Sequence, residues 1–497
     1  MAPQFPDRVP LGVAGLDHIL RGGVPRDEVY LVQGGPGTGK TTLALEFLQA
    51  GAAVGEAALY VTLSQTRPSL ERIAWSHGWN LDGVEVREVG VTEDAAQTVF
   101  HPSEVQLSET LAAIREAVEE VGPARLVIDT VADLRVLSVD RTQYRRELFG
   151  LRRFLSERSC TALFLDDSPE NGGDRELQNQ ANGVLSLRQE SPEYGEVRRW
   201  LQVVKMRSTP FPSGGHNFRI RTGGLAVFPR VEADGENGYE TWEPLSSGVP
   251  ELDAMLGGGL REGTTCLVAG PTGSGKSAVA FRHAHAAAER GETAAVFLFN
   301  ERLETFYMRA RGLGMDMEAH VEAGRLVVRQ VNTGALAPSE FAQQVREAVE
   351  DDGARVVVID SLSGYINAML RRDLLVSQLH ELVTYLSQHG VLTLLVVDRH
   401  GTLTGDDPAG PAHVSYLADS VLLLGYHEED GVRHRTITVL KQRHGDHAKD
   451  ARELHLSAAG LAIGDRIGGV GLTLDPHLFA TLHAADGPSN GRPPARA

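Results

Sequence analysis

Gly34-Gly35-Pro36-Gly37-Thr38-Gly39-Lys40-Thr41 decides the fold of this chain, and the chain writes it twice. Gly270-Pro271-Thr272-Gly273-Ser274-Gly275-Lys276-Ser277 repeats the pattern at a spacing of 236 (276 − 40). Both stretches fit G-x-x-x-x-G-K-[ST], in which a glycine-rich turn lets backbone N–H groups wrap a phosphate chain. The flanks supply the context such a loop needs. The apolar runs Val29–Gln33 and Thr265–Ala269 read as buried parallel strands. The segments Thr42–Ala50 and Ala278–Arg290, each closed by a glycine, read as helices. Strand, loop and helix N-terminus together form a binding site for nucleoside triphosphate. The expected contacts are Gly35, Pro36, Gly37, Thr38, Gly39, Lys40, Thr41 and Thr42 in the first loop. In the second they are Pro271, Thr272, Gly273, Ser274, Gly275, Lys276, Ser277 and Ala278.

The lysines carry a second copy of the same number. The chain has only five lysines among 48 basic residues, and Lys205 and Lys441 also stand 236 apart (441 − 205). Gly12, Leu16, Asp17 and Gly22 recur at the same spacing as Gly248, Leu252, Asp253 and Gly258. The expected organisation is an arm over residues 1–10, a first domain over 11–230, a polar linker over 231–245, a second domain over 246–465 and a disordered tail over 466–497. Lys449 alone has no counterpart, since the matched position is Ser213.

Leu126-Val-Ile-Asp129 and Val356-Val-Val-Ile-Asp360 are apolar strands ending in a carboxylate. Each follows its loop at an interval long enough for an intervening β-α-β unit. An Asp there can share a Mg²⁺ ion with the loop hydroxyl, so Thr41 with Asp129 and Ser277 with Asp360 are the expected metal ligands. The fold class that follows is α/β: two tandem RecA-like P-loop NTPase domains, each a mainly parallel sheet flanked by helices.

Composition narrows the partners. Hydrophobic residues make up 42%, and no run reaches the roughly 20 apolar residues of a membrane helix. With no leader peptide in evidence, a soluble cytoplasmic protein is expected. Cys160 and Cys266 lie far apart and read as buried free thiols. A net charge of −18 and 6% aromatics argue against a nucleic-acid surface.

The opening G-V-x-x-L-D-x-x-L-x-G-G, the paired loops, the paired strand-end aspartates and the doubled domain resemble the KaiC family, the tandem RecA-fold ATPases and autokinases of bacterial circadian clocks. Over roughly residues 8–465, that resemblance implies a hexamer with ATP at each subunit interface. It implies that Lys205 and Arg207, and likewise Lys441 and Arg443, reach nucleotide held by the neighbouring copy. Cations placed there would stabilise the charge of phosphoryl transfer. The family carries two adjacent carboxylates after the second strand, the first of which activates the nucleophile. Here Ser64 and Gln65 stand in the first half, Asn300 and Glu301 in the second. Gln65 and Asn300 can orient water but cannot take its proton. Slow Mg²⁺-dependent hydrolysis, mainly in the second domain, is therefore the expected activity. Ser415 matches the family's phosphoacceptor serine, while Tyr416 replaces the neighbouring threonine, so serine autophosphorylation is the further activity implied. The alternatives are a nucleotide-gated signalling scaffold acting through protein partners, or a RecA-like DNA recombinase or helicase.

Overall fold

The computed structural model of the chain describes residues 7–89, 102–167, 175–191, 196–231, 242–299, 301–332, 337–368, 372–398 and 415–467. It divides into two compact units, Met1–Arg230 and Val231–Ala497. Each unit is built on one nine-stranded sheet.

Across the first sheet the strands run Gly224–Phe228, Gly215–Arg221, Arg198–Met206, Gly183–Glu190, Val29–Gly34, Thr161–Asp166, Arg125–Asp129, Ala58–Thr62 and Val84–Glu88. From Gly183–Glu190 onward the pairing is parallel, and the remaining strands form an antiparallel meander. The second sheet repeats this order, with Thr265–Gly270 in the central place of Val29–Gly34. One strand, Thr161–Asp166 or Leu392–Asp398, separates each loop-bearing strand from its strand-end aspartate. That insertion is the RecA-like arrangement which the interval between the motifs implies.

Alternation along a strand explains why these runs contain almost no polar residues. Tyr30 and Val32 face a core that includes Leu43, Phe47 and Leu48 of the helix Lys40–Ala52. Val29 and Leu31 face the opposite core, with Leu148 and Leu151 of the helix Arg141–Ser156. Successive side chains point to opposite faces, so a strand covered on both sides must be apolar throughout. Each such fully buried side chain contributes roughly 1.5–3 kcal/mol relative to exposure. Central burial on this scale fixes the level at which each phosphate loop leaves its sheet.

Short strands reach into the expected arm and linker. Arg8–Val9, inside the expected arm, pairs with Val24–Pro25, and Val9 is fully buried. Pro244–Leu245, inside the expected linker, pairs with Leu260–Arg261. The repeated aspartate organises both ends. Asp17 accepts from the Leu11 and Gly12 amides at 2.7 and 3.1 Å, while Asp253 accepts from the Ser247 amide at 2.8 Å. Gly12 is required beside it: φ is +85°, and a Cβ there would sit 2.9 Å from both Ala50 Cβ and the Glu46 carbonyl oxygen.

Candidate nucleotide sites

Each phosphate loop leaves the carboxyl end of the central strand and enters a helix at its lysine, Lys40–Ala52 or Lys276–Glu289. Gly37 and Gly39 take φ of +76° and +98°, and Gly273 and Gly275 take +80° and +102°. L-residues rarely adopt that region, so the glycines permit the curl. Space enforces it as well. A Cβ on Gly39 would lie 2.9 Å from Ile220, and one on Gly275 would lie 2.9 Å from Leu456. Neither helix takes a side-chain cap at its N-terminus. Its first-turn N–H groups and the positive end of the helix dipole are thus presented to an anion.

The lysines are turned into their loops. Lys40 Nζ donates to the carbonyls of Gly34 at 2.7 Å and Gly35 at 3.0 Å, and pairs with Asp167 at 2.7 Å. Lys276 Nζ donates to the Pro271 carbonyl at 2.9 Å. An ammonium in this position stands at the centre of the phosphate cradle.

The strand-end aspartates are held differently in the two halves. Tyr60, fully buried on the neighbouring strand, donates its hydroxyl to Asp129 Oδ2 at 2.5 Å. Gln65 Nε2 donates to the same oxygen at 3.3 Å. Burial and the adjoining Asp129 carboxylate push the Tyr60 phenol well above its ordinary range, so it stays a neutral donor. Burial pushes the Asp129 carboxyl above the ordinary carboxylate range, against the pull of the Tyr60 hydrogen bond. In the second half Arg309 pairs with Glu301 at 2.6 Å and with Asp360 at 3.8 Å. Burial raises the Glu301 carboxyl, which Arg309 opposes and Asp360 reinforces. Asn300 lies outside the described residues.

The donors fit magnesium. Among the described residues, no three or more His, Cys, Asp or Glu gather as a metal cage. Mg²⁺ needs none, because it takes one or two carboxylates and completes its shell with phosphate oxygens and water. A hydroxyl and a carboxylate beside a phosphate loop are that kind of donor set.

The profile of the KaiC ATPase family matches residues 9–232 and again 245–467. The chain belongs to the KaiC ATPase family. It is 28% identical to the circadian clock protein KaiC3 of Synechocystis over 92% of both chains. It is 26% identical to the clock oscillator protein KaiC of Thermostichus vulcanus, over 92% of this chain and 89% of that one. The corresponding protein of Synechococcus elongatus is 28% identical, over 91% and 88% of the two chains. Family membership brings with it a repeated ATP-binding domain of the ATPase type.

Within this KaiC-family frame, strand register keeps Lys205 and Lys441 away from their own phosphate loops. Lys205 pairs with Val184, which lies beside Leu31, short of Gly34 where the loop begins. Lys441 pairs with Val421 beside Leu267, equally short of Gly270. Lys205 Nζ donates to the carbonyls of Gln178, Asn179 and Ala181 at 2.8, 3.3 and 2.7 Å. Arg207 also reaches the Asn179 carbonyl, at 3.3 Å. Lys441 donates to the Ala418 carbonyl at 2.8 Å, and Arg443 to the Tyr416 carbonyl at 3.1 Å. Ser415 opens a short 3₁₀ turn, Ser415–Leu417, and its side chain lies outside the described residues.

A pair of arginines on the same strands does reach the loops, and the motif reading missed it. Arg199 donates to the Gly37 carbonyl at 3.4 Å, and Arg435 to the Gly273 carbonyl at 3.1 Å. Their numbers also differ by 236 (435 − 199), so the repeat itself held the signal.

Beside the second loop lies a cavity of about 190 Å³ lined by Ala278, Arg282, Leu313, Gly314, Met315 and Gly460, among others. The matched place in the first half is differently furnished. Thr42 and His77 hydrogen-bond there at 3.4 Å, and Glu46 replaces Arg282. Glu46 accepts from the Leu225 amide at 3.1 Å, and burial pushes its carboxyl up to about 8.

Proposed function

We propose that this protein binds MgATP in both halves and hydrolyses it slowly, mainly in the second, with each nucleotide completed by a neighbouring copy in a hexamer. The observation that carries the reading is Lys40 turned into a positive-φ loop at the start of an uncapped helix, with the same arrangement rebuilt around Lys276. In this scheme the loop amides and lysine hold the β and γ phosphates. Arg199 and Arg435 support the loops from the sheet, and the cavity beside Ala278 receives the base. Thr41 and Asp129 would hold Mg²⁺ in the first half, Ser277 and Asp360 in the second. Held by those residues, the ion would neutralise charge on the phosphates.

Glu301 is the carboxylate available to orient the attacking water and accept its proton. Lys441 and Arg443, which the register keeps from their own loop, are available to a neighbour's γ-phosphate. That division makes turnover depend on assembly. Ser415 is the residue proposed to receive phosphate in any autokinase reaction. The scaffold reading gains support from Arg309, because a paired Glu301 is less available to water.

Purified protein incubated with γ-labelled ATP and Mg²⁺ tests these together. The expected outcome is slow phosphate release that falls in Glu301→Gln, with protein-bound label that disappears in Ser415→Ala. Tight ATP binding with neither signal would favour the scaffold.

A further inference from the structure

The two halves match in loop and strand, yet their aspartates are gripped by unmatched residues. The position matching Tyr60 is Val296, a buried residue that carries no hydroxyl. The position matching Arg309 is Ile73, which carries no charge. Each half has therefore acquired its own support for the carboxylate expected to hold magnesium.

Those supports differ in sign. Tyr60 is a neutral donor fixed by full burial, and it holds Asp129. With Gln65 it converges on Oδ2, which leaves Oδ1 unengaged by either donor. Groups that orient a metal ligand from behind typically account for about 10–100-fold in metal affinity. Arg309 is instead a permanent cation 3.8 Å from Asp360, held over the Phe281 ring at 4.9 Å and paired with Glu301. It already supplies part of the positive charge that a divalent ion would bring, and it must be displaced or tolerated when one arrives.

We infer that the halves use divalent ions unequally: Tyr60 is a positioning residue that strengthens Mg²⁺ binding in the first half, whereas Arg309 is a built-in competitor that weakens it in the second. This rests on the MgATP reading above. The consequence is nucleotide binding that depends strongly on Mg²⁺ at the first site and weakly at the second.

The test is equilibrium binding of a non-hydrolysable ATP analogue to the full chain, in EDTA and in Mg²⁺. Lys276→Ala reports the first half and Lys40→Ala the second. The ratio of the two affinities is the contribution of the ion. It should be about tenfold or more larger in the first half. Tyr60→Phe should cut the first-half ratio about tenfold with the EDTA affinity unchanged, which separates positioning from damage to the fold. Arg309→Met should raise the second-half ratio severalfold, and Arg309→Lys should keep it low. Equal ratios in the two halves, unmoved by either substitution, would overturn the inference while leaving the nucleotide sites intact. No analogue bound in either half would overturn the MgATP reading and this inference with it.

Discussion

Arg435 donates its Nε to the carbonyl oxygen of Gly273 at 3.1 Å, tying the antiparallel meander to the phosphate loop of the same subunit. Lys441 lies on the same strand, Val432–Gln442, yet sits below the loop. On the proposed reading, one strand carries a cation for its own nucleotide and another for a neighbour's. Arg435→Ala should weaken ATP binding about tenfold, near 1.4 kcal/mol. Lys441→Ala should leave affinity within about twofold but cut turnover by roughly a hundredfold or more. Titration calorimetry and phosphate release together check the split, and a reversal of the two phenotypes would assign the cations wrongly.

Lys276→Arg conserves charge but exchanges a compact ammonium for a planar fork. The cradle around Lys276 is built for one amine donating to the Pro271 carbonyl. ATP affinity should fall by about a hundredfold or more while the circular dichroism spectrum stays unchanged. Retained affinity would remove the lysine from the phosphate site.

Glu46 gives a pH dependence of stability with a defined sign. Its folded carboxyl is pushed up to about 8 from the ordinary 4.5 by burial, so the native state keeps its proton where the unfolded chain has lost it. Stability of the first domain should therefore fall as pH rises from about 4.5 to 8 and level off above that. Glu46→Gln keeps an acceptor for the Leu225 amide and removes the ionisation. It should flatten this slope and stabilise the domain at pH 9 by roughly 3–5 kcal/mol. Thermal melts of parent and variant from pH 5 to 9 measure it, and parallel curves would contradict the buried carboxyl.

The phosphate loops and their aspartates were legible because their chemistry is local in sequence. A glycine curl needs its glycines in a row, and a parallel strand buried on both faces must read as an unbroken apolar run, as Val29–Gly34 does. The short strands Arg8–Val9 and Pro244–Leu245, inside the expected arm and linker, are not legible, since two-residue strands leave no periodicity to detect. The repeat marks Arg199 and Arg435 as a pair, but their reach to the loops is hidden for another reason. Both halves carry a register shift, between Val184 and Leu185 and between Val421 and Leu422. A bulge changes which residues meet across the ladder, so counting back from Lys205 or Lys441 does not tell which side chain faces the loop. Tyr60 and Arg309 depend on contacts between a strand, a helix and a loop, and sequence spacing carries no trace of them.

Glu301→Gln should reduce phosphate release by about tenfold or more, whereas Gln65→Ala should change it little, because Gln65 is engaged with Asp129 and offers no base. Equal losses from the two substitutions would show that the halves share the chemistry.

Counting bound nucleotide tests the doubled site most directly. Equilibrium dialysis with a labelled, non-hydrolysable ATP analogue should give two molecules per parent chain, one each in Lys40→Ala and Lys276→Ala, and none when both lysines are replaced. A parent that binds one or none, or a count that neither substitution lowers, would contradict two ATP sites built on the repeated loop.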